Sequence, residues 1–302
     1  LMALVLASHG ELSLTLALNW WLNDTLNPGL LIIPTCAWLF FTNRQPLQRV
    51  SPVWPGLLLF IASGVLILLG QQTHTQAVAE IGLLASLLLI PIALYGWQFL
   101  RSYWFVFAFA LFAFPVWSVI TPYAQLLTTY ATVTLLGLTS LPIYAEGFSI
   151  QIPAGTFLVE EGCSGMRYLI SALAIGSLYV YLSAGRWPVK LGMFLLLAAL
   201  AVFGNWIRIL IVIAIANFWG ITHPMVDDHA TLGWIIFAVL LLAWFVLGSR
   251  VLPTAAAGAA RRVKLTSLVH GHQYSIAVLL LLVVTVALPA ASNKLLAEPQ
   301  FH

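Results

Sequence analysis

The sequence predicts an all-α polytopic membrane protein of about eight to nine transmembrane helices, carrying a small extracytoplasmic β-hairpin. Three observations predict it. Of 302 residues, 62% are hydrophobic and only 7% are charged, with a mean hydropathy of +1.01, whereas a soluble domain carries roughly 25% charge. Apolar stretches near the length of a bilayer crossing recur along the chain. Basic residues gather in alternate loops, the pattern expected when those loops face the cytoplasm. The net charge of +3 therefore reports membrane orientation and gives no reason to expect a nucleic-acid partner.

A crossing helix needs about 20 mostly apolar residues, which places spans near 1–22, 26–43, 53–71, 76–97, 102–121, 164–184, 188–208, 230–248 and 274–292. His9 and Glu11 interrupt the first, and Asn27-Pro28-Gly29 blunts the start of the second. The opening Leu1, in place of Met, reads as a truncated start, and no cleavable signal pattern is legible. Arg44 with Arg49, then Arg101, then Arg186 with Lys190, then Arg250, Arg261, Arg262 and Lys264 fall in alternate loops, which are assigned to the cytoplasm. The intervening loops hold Glu146, Glu160, Glu161, Asp227 and Asp228 and are assigned outward. Ile209 to Trp219 reads as a candidate re-entrant segment. No soluble, linker-separated domain is legible, so residues 1–302 read as one integral membrane domain with its core at 103–250.

The longest outward segment, 122–162, has its own character. From Tyr123 to Leu141 apolar residues are broken by Gln125, Thr128, Thr129, Thr132 and Thr134, which suits an interfacial or partly buried helix. Phe148, Ile150 and Ile152 then alternate with Ser149 and Gln151, Pro153-Ala154-Gly155 supplies turn chemistry, and Thr156 to Val159 resumes a strand-like run. A β-hairpin over 145–160 is expected, its return strand leading directly to Cys163.

Cys163 stands in Glu160-Glu161-Gly162-Cys163-Ser164-Gly165-Met166-Arg167. Only one other cysteine exists, Cys36 in an apolar run, so neither a disulfide nor a metal site is expected, and no cofactor is implied. Placed at a helix N-terminus, the thiol would meet unpaired N–H groups that favour thiolate. The plain alternative is a small hydrophobe packed at a helix start. Arg208, with Asn205 one turn before it, interrupts an almost wholly apolar stretch, and a buried arginine costs several kcal/mol unless it is paired or reaches water. About 18 residues beyond Lys190, at roughly 1.5 Å each, it is expected at the outer surface. There it either snorkels to the headgroups or lines a polar pocket. His229 follows Asp227-Asp228 and opens a helix, with an aspartate cap expected. A neutral imidazole there can take a proton; the plain reading is a solvated loop histidine. Arg167 lies four residues beyond Cys163 and is expected to pair with Glu160 or Glu161. Three groups from three helices thus reach one membrane face. Together a thiolate could attack an amide carbonyl, a guanidinium steady the oxyanion and an imidazole protonate the leaving amine.

Glu161-Gly162-Cys163-Ser164-Gly165-Met166-Arg167, then Asn205-Trp206-Ile207-Arg208-Ile209, then His229-Ala230-Thr231-Leu232-Gly233-Trp234 resembles the exosortase and archaeosortase family of polytopic cysteine transpeptidases. The resemblance extends over most of the chain from about 24 to 250, with Asn27-Pro28-Gly29 standing where relatives often have a His-Gly pair. It implies that Cys163 is the nucleophile, Arg208 the transition-state arginine and His229 the catalytic histidine, with Glu160, Glu161, Arg167, Asn205 and Asp228 in support. It further implies a multi-pass protein of the bacterial inner membrane with its site facing the periplasm or exterior. The implied substrates are membrane-anchored proteins ending in a sorting signal, typically Pro-Glu-Pro followed by a transmembrane helix and a basic cluster. The acyl group would pass to an acceptor nucleophile not identified by the sequence, in a step linked to surface anchoring and exopolysaccharide. The hairpin edge could hold the extended motif by strand addition. The rival readings are a polytopic transporter or an assembly subunit for lipid or polysaccharide export; against the transporter, no pair of related halves is legible.

Overall fold

The computed structural model describes residues 1–23, 25–42, 53–252 and 281. The expected span 274–292 and the basic residues Arg44, Arg49, Arg261, Arg262 and Lys264 lie outside those residues, save Leu281. The described residues divide into two compact units, one of residues up to 116 with Leu281 and one of residues 117–252.

The first unit begins with α1 (Met2–Ser8) and α2 (Gly10–Leu22). They are two short helices rather than one span, because His9 leaves helical geometry at φ −115°, ψ 46°. Next come α3 (Gly29–Thr42), α4 (Trp54–Gln72), α5 (Gln76–Ser102) and α6 (Trp104–Ala110). α4 and α5 form a tight helical pair joined by Thr73-His74-Thr75. Gly70 and Gly82 permit the approach: a Cβ on Gly70 would stand 2.4 Å from Ala79 N, and one on Gly82 would stand 2.8 Å from the backbone of Ile67 and Ser63. Ser63 and Ser86 share a 2.8 Å hydrogen bond across that seam. Glu80, buried on α5, accepts from Asn19 Nδ2 at 2.5 Å and Gln76 Nε2 at 2.8 Å. α5 breaks at Gly96 (φ 79°, ψ −176°), where a residue with a Cβ would be strained.

The span expected over 102–121 is not a continuous helix. α6 tightens into a single 3-10 turn at Leu111–Ala113 and ends, with Phe114 extended at φ −76°, ψ 144°. Phe114 precedes Pro115, whose ring disfavours helical geometry in the residue before it.

The second unit holds α7 (Trp117–Leu136), the strands β1 (Tyr144–Glu146), β2 (Ser149–Ile152) and β3 (Gly155–Leu158), then α8 (Met166–Leu182), α9 (Trp187–Trp219), α10 (Pro224–Asp227) and α11 (His229–Val251). The strands make an antiparallel meander in the order β1-β2-β3, so β3 is an edge. Ile150 opposes Phe157, and Ser149 opposes Leu158. The alternation read from the sequence places Ile150, Ile152 and Val159 inward, where they pack on Leu136, Ile209 and Ile213 of α7 and α9. α8, α9 and α11 share a second core of Tyr168, Ala172, Leu197, Ala201, Phe237 and Trp244. The Trp244 indole donates to Met193 O at 2.9 Å within it.

Among the described residues four helices, α4, α5, α9 and α11, are long and apolar enough to cross a membrane, or five if 104–113 and 117–136 together make one span. This is fewer than the eight to nine expected. The breaks at His9 and Phe114-Pro115 account for two spans. α3, with 14 residues, extends only about 21 Å against a hydrocarbon core of about 30 Å, and α8 has 17. The chain is a polytopic, mostly helical membrane protein nonetheless. α9 runs unbroken for 33 residues, so Ile209 to Trp219 is no re-entrant segment: nothing in that run, apolar but for Asn217 and free of Gly and Pro, ends the helix.

Candidate active site

Cys163 closes a 3-10 turn, Glu161–Cys163, that follows β3. α8 begins only at Met166, so the thiol stands ahead of the helix rather than on its first turn. Gly165 makes the transition at φ 84°, a conformation that costs an L-residue with a Cβ roughly 1–2 kcal/mol. It also lies so close to α9 that an added Cβ would sit 2.7 Å from Asn205 Nδ2. That approach lets Asn205 donate to Cys163 O at 3.0 Å. Ser164 Oγ donates to Glu161 O at 2.6 Å. The polar residues of α7 complete the cradle: Gln125 Nε2 donates to Val159 O at 2.8 Å, and Thr128 Oγ1 donates to Ser164 O at 3.2 Å.

His229 opens α11, and Asp228 caps it by accepting from Thr231 N at 3.2 Å. His229 Nδ1 is 2.9 Å from Val226 O, and Nε2 is 3.5 Å from Cys163 Sγ. A carbonyl can only accept, so Nδ1 carries the hydrogen in that contact. With Nδ1–H so engaged, Nε2 is the ring atom turned toward the thiol. This is the arrangement of a nucleophile beside a base whose orientation a third group fixes.

Arg208 lies in the body of α9, only 2% exposed, and not at the end of a helix. A snorkelling arginine would show its head to solvent, and this one does not. Nη1 donates to Tyr168 Oη at 3.3 Å, and the guanidinium carbon lies 5.6 Å from the Tyr168 ring centre. Nε and Nη2 are buried with no hydrogen-bond acceptor. Buried donors of a charged group are expensive to leave unmade, so two donor nitrogens, Nε and Nη2, are left able to take an acceptor. A cavity of about 240 Å³ is lined by Cys163, Arg208 and His229 together with Thr156, Phe157 and Leu158 of β3, among others. Three residues singled out in separate segments thus border one space.

The supporting residues divide. Asn205 and Asp228 act on backbone, as described. Glu160 and Glu161 are exposed. Arg167 is buried, with its guanidinium 5.8 Å from the Trp234 ring centre. Tyr168 was not legible as a site residue: it reads as one more aromatic residue in an apolar helix, and only its contact with Arg208 distinguishes it. Val226 contributes a carbonyl, for which a side-chain pattern gives no signal. Gly233 of α11 is required by the same packing, since a Cβ there would meet Tyr168 Oη at 2.0 Å and Arg208 Cδ at 2.8 Å. Among the described residues no cluster of His, Cys, Asp and Glu could hold a metal ion.

No curated protein and no solved structure matches the chain. The family model for the transmembrane exosortase (Exosortase_EpsH) matches residues 20–246. That interval includes all of α4 to α10, the sheet and the cavity, and covers well over half of the sequence. The chain therefore belongs to the transmembrane exosortase family.

Proposed function

We propose that the protein is a cysteine peptidase and transpeptidase of the bacterial inner membrane, acting on exported proteins that end in a C-terminal sorting signal. The family is one of membrane transpeptidases for such signals; the residue roles, the Pro-Glu-Pro motif, the outward-facing site and the link to surface anchoring and exopolysaccharide are parts of this reading. The observation that carries it is the 3.5 Å separation of Cys163 Sγ and His229 Nε2 in a cavity that Arg208 also lines, with two donor nitrogens of its guanidinium, Nε and Nη2, lacking a partner.

The chemistry follows from that geometry. His229 Nε2 takes the thiol proton while Val226 O keeps its hold on Nδ1–H. The thiolate adds to the scissile carbonyl carbon, and the oxygen that gains the electron pair accepts from Arg208 Nε or Nη2. Collapse breaks the C–N bond, and the imidazolium returns its proton to the leaving amine, leaving a thioester on Cys163. An acceptor amine, or water, then adds to the thioester while His229 takes its proton, and the thiol is restored. Substrates held by their own helix diffuse in two dimensions beside the enzyme, which raises the encounter rate without a deep soluble pocket.

In the test, the full chain is incubated with a helix-anchored Pro-Glu-Pro substrate and examined by intact-mass spectrometry. An acyl group on Cys163 and complete loss of cleavage in Cys163→Ala are expected. Cleavage at the normal rate by Cys163→Ala, or an acyl group on another residue, overturns the proposal.

A further inference from the structure

We infer that the outer edge of β3 is the binding site for the substrate peptide, which joins the sheet as a fourth strand with its backbone paired to Thr156. The inference rests on the peptidase reading and adds to it a mode of binding. Thr156, Phe157 and Leu158 of β3, and Val159 just beyond, all line the cavity that holds Cys163. Side chains of successive strand residues point to opposite faces. Four in a row border one space where that space reaches along the edge of the strand; Ile150, Ile209 and Ile213 line it too, so it continues from the edge under the inner face of the sheet.

The pattern of hydrogen bonds says which groups are presented there. Val159 N donates to Phe148 O at 2.8 Å, which marks these two as a hydrogen-bonded pair. By the alternation of an antiparallel ladder, Phe157 is bonded to Ile150, while the backbone groups of Thr156 and Leu158 turn away from β2. Leu158 O is engaged by Glu160 N at 3.0 Å. The N–H and C=O of Thr156 and the N–H of Leu158 remain directed outward at the edge. Such a row is satisfied by one kind of ligand, another extended backbone. At its start β3 meets Ile221, since a Cβ on Gly155 would stand 2.6 Å from Ile221 Cδ1. At its other end the chain leads through Glu160 to the thiol. A peptide laid along β3 is thus carried toward Cys163.

An added strand needs the N–H of only every second residue to face the edge. Proline, which has none, is tolerated where the ring nitrogen points away. In a Pro-Glu-Pro segment the Glu is the residue able to exchange both bonds with Thr156, leaving both prolines directed outward.

The test uses the full chain in proteoliposomes and synthetic Pro-Glu-Pro peptides ahead of an anchoring helix, each N-methylated at one position. N-methylation of the Glu should raise KM about tenfold with kcat unchanged. N-methylation three residues away, an odd step along the strand, should leave both constants as they were. In the enzyme, Thr156→Pro removes an edge N–H and should raise KM similarly. If Thr156→Pro fails to fold, the N-methylated series on the wild-type chain still decides. Equal KM across that series, with cleavage still abolished in Cys163→Ala, overturns strand addition alone. Cleavage that survives Cys163→Ala overturns the peptidase reading instead.

Discussion

Tyr168 holds Arg208 in two ways, through its hydroxyl, which accepts from Nη1, and through its ring, which faces the guanidinium. Replacing it with Phe keeps the ring and removes the acceptor, so Nη1 joins Nε and Nη2 in having no partner and the guanidinium is free to turn. We expect Tyr168→Phe to lower kcat about tenfold with KM little changed and thermal stability within about 1 kcal/mol of wild type, measured by peptide cleavage and by melting in detergent. A purely structural tyrosine would instead lower stability and leave kcat intact. A neighbouring prediction concerns Gly233, which leaves the room that Tyr168 and Arg208 occupy. Gly233→Ala should displace the guanidinium by about 1 Å and reduce kcat about a hundredfold, read in the same assay. Cys163, Arg208 and His229 could be singled out from the sequence because each is costly or unusual in an apolar chain. Tyr168 and Gly233 could not, because their roles exist only once α8, α9 and α11 meet.

α7 acts as a bracket for the loop that bears Cys163. Its Gln125 and Thr128, buried, support the carbonyls of Val159 and Ser164. Gln125→Ala leaves the Val159 carbonyl without its buried donor and should cost about 1–3 kcal/mol, seen as a lower melting temperature in detergent. An unchanged melting temperature would show that water replaces the side chain. The broken polarity of this segment was readable as partial burial, period-two alternation pointed to β2, and the strand-like run after the Pro153-Ala154-Gly155 turn pointed to β3. β1 was not anticipated, because Tyr144–Glu146 is only three residues long and exposed throughout. The helix ends escaped the sequence for a related reason. Hydropathy registers apolar length, whereas the breaks at Gly96 and Phe114 are set by single backbone conformations; the break at His9 falls where the sequence marked an interruption.

At the scale of the whole molecule, the family assignment and the membrane setting agree with a chain whose apolar content leaves little other environment for it. The proposed substrate is also a membrane helix, so enzyme and substrate are measured against the same bilayer. We expect lengthening the substrate's anchoring helix by four residues, about 6 Å, to shift the cleaved bond or slow its cleavage severalfold, as resolved by product mass. Indifference to such an insertion would argue for a site fed from bulk water. The unbroken length of α9 gives this expectation its scale. From Trp187 to Arg208 the helix rises about 32 Å, close to the thickness of a hydrocarbon core, and about 17 Å remains before Trp219. α9 is in effect a ruler with one mark on it: Arg208 is fixed about one bilayer thickness from the helix start, and on the proposed reading a bond is cut only where it comes level with that mark.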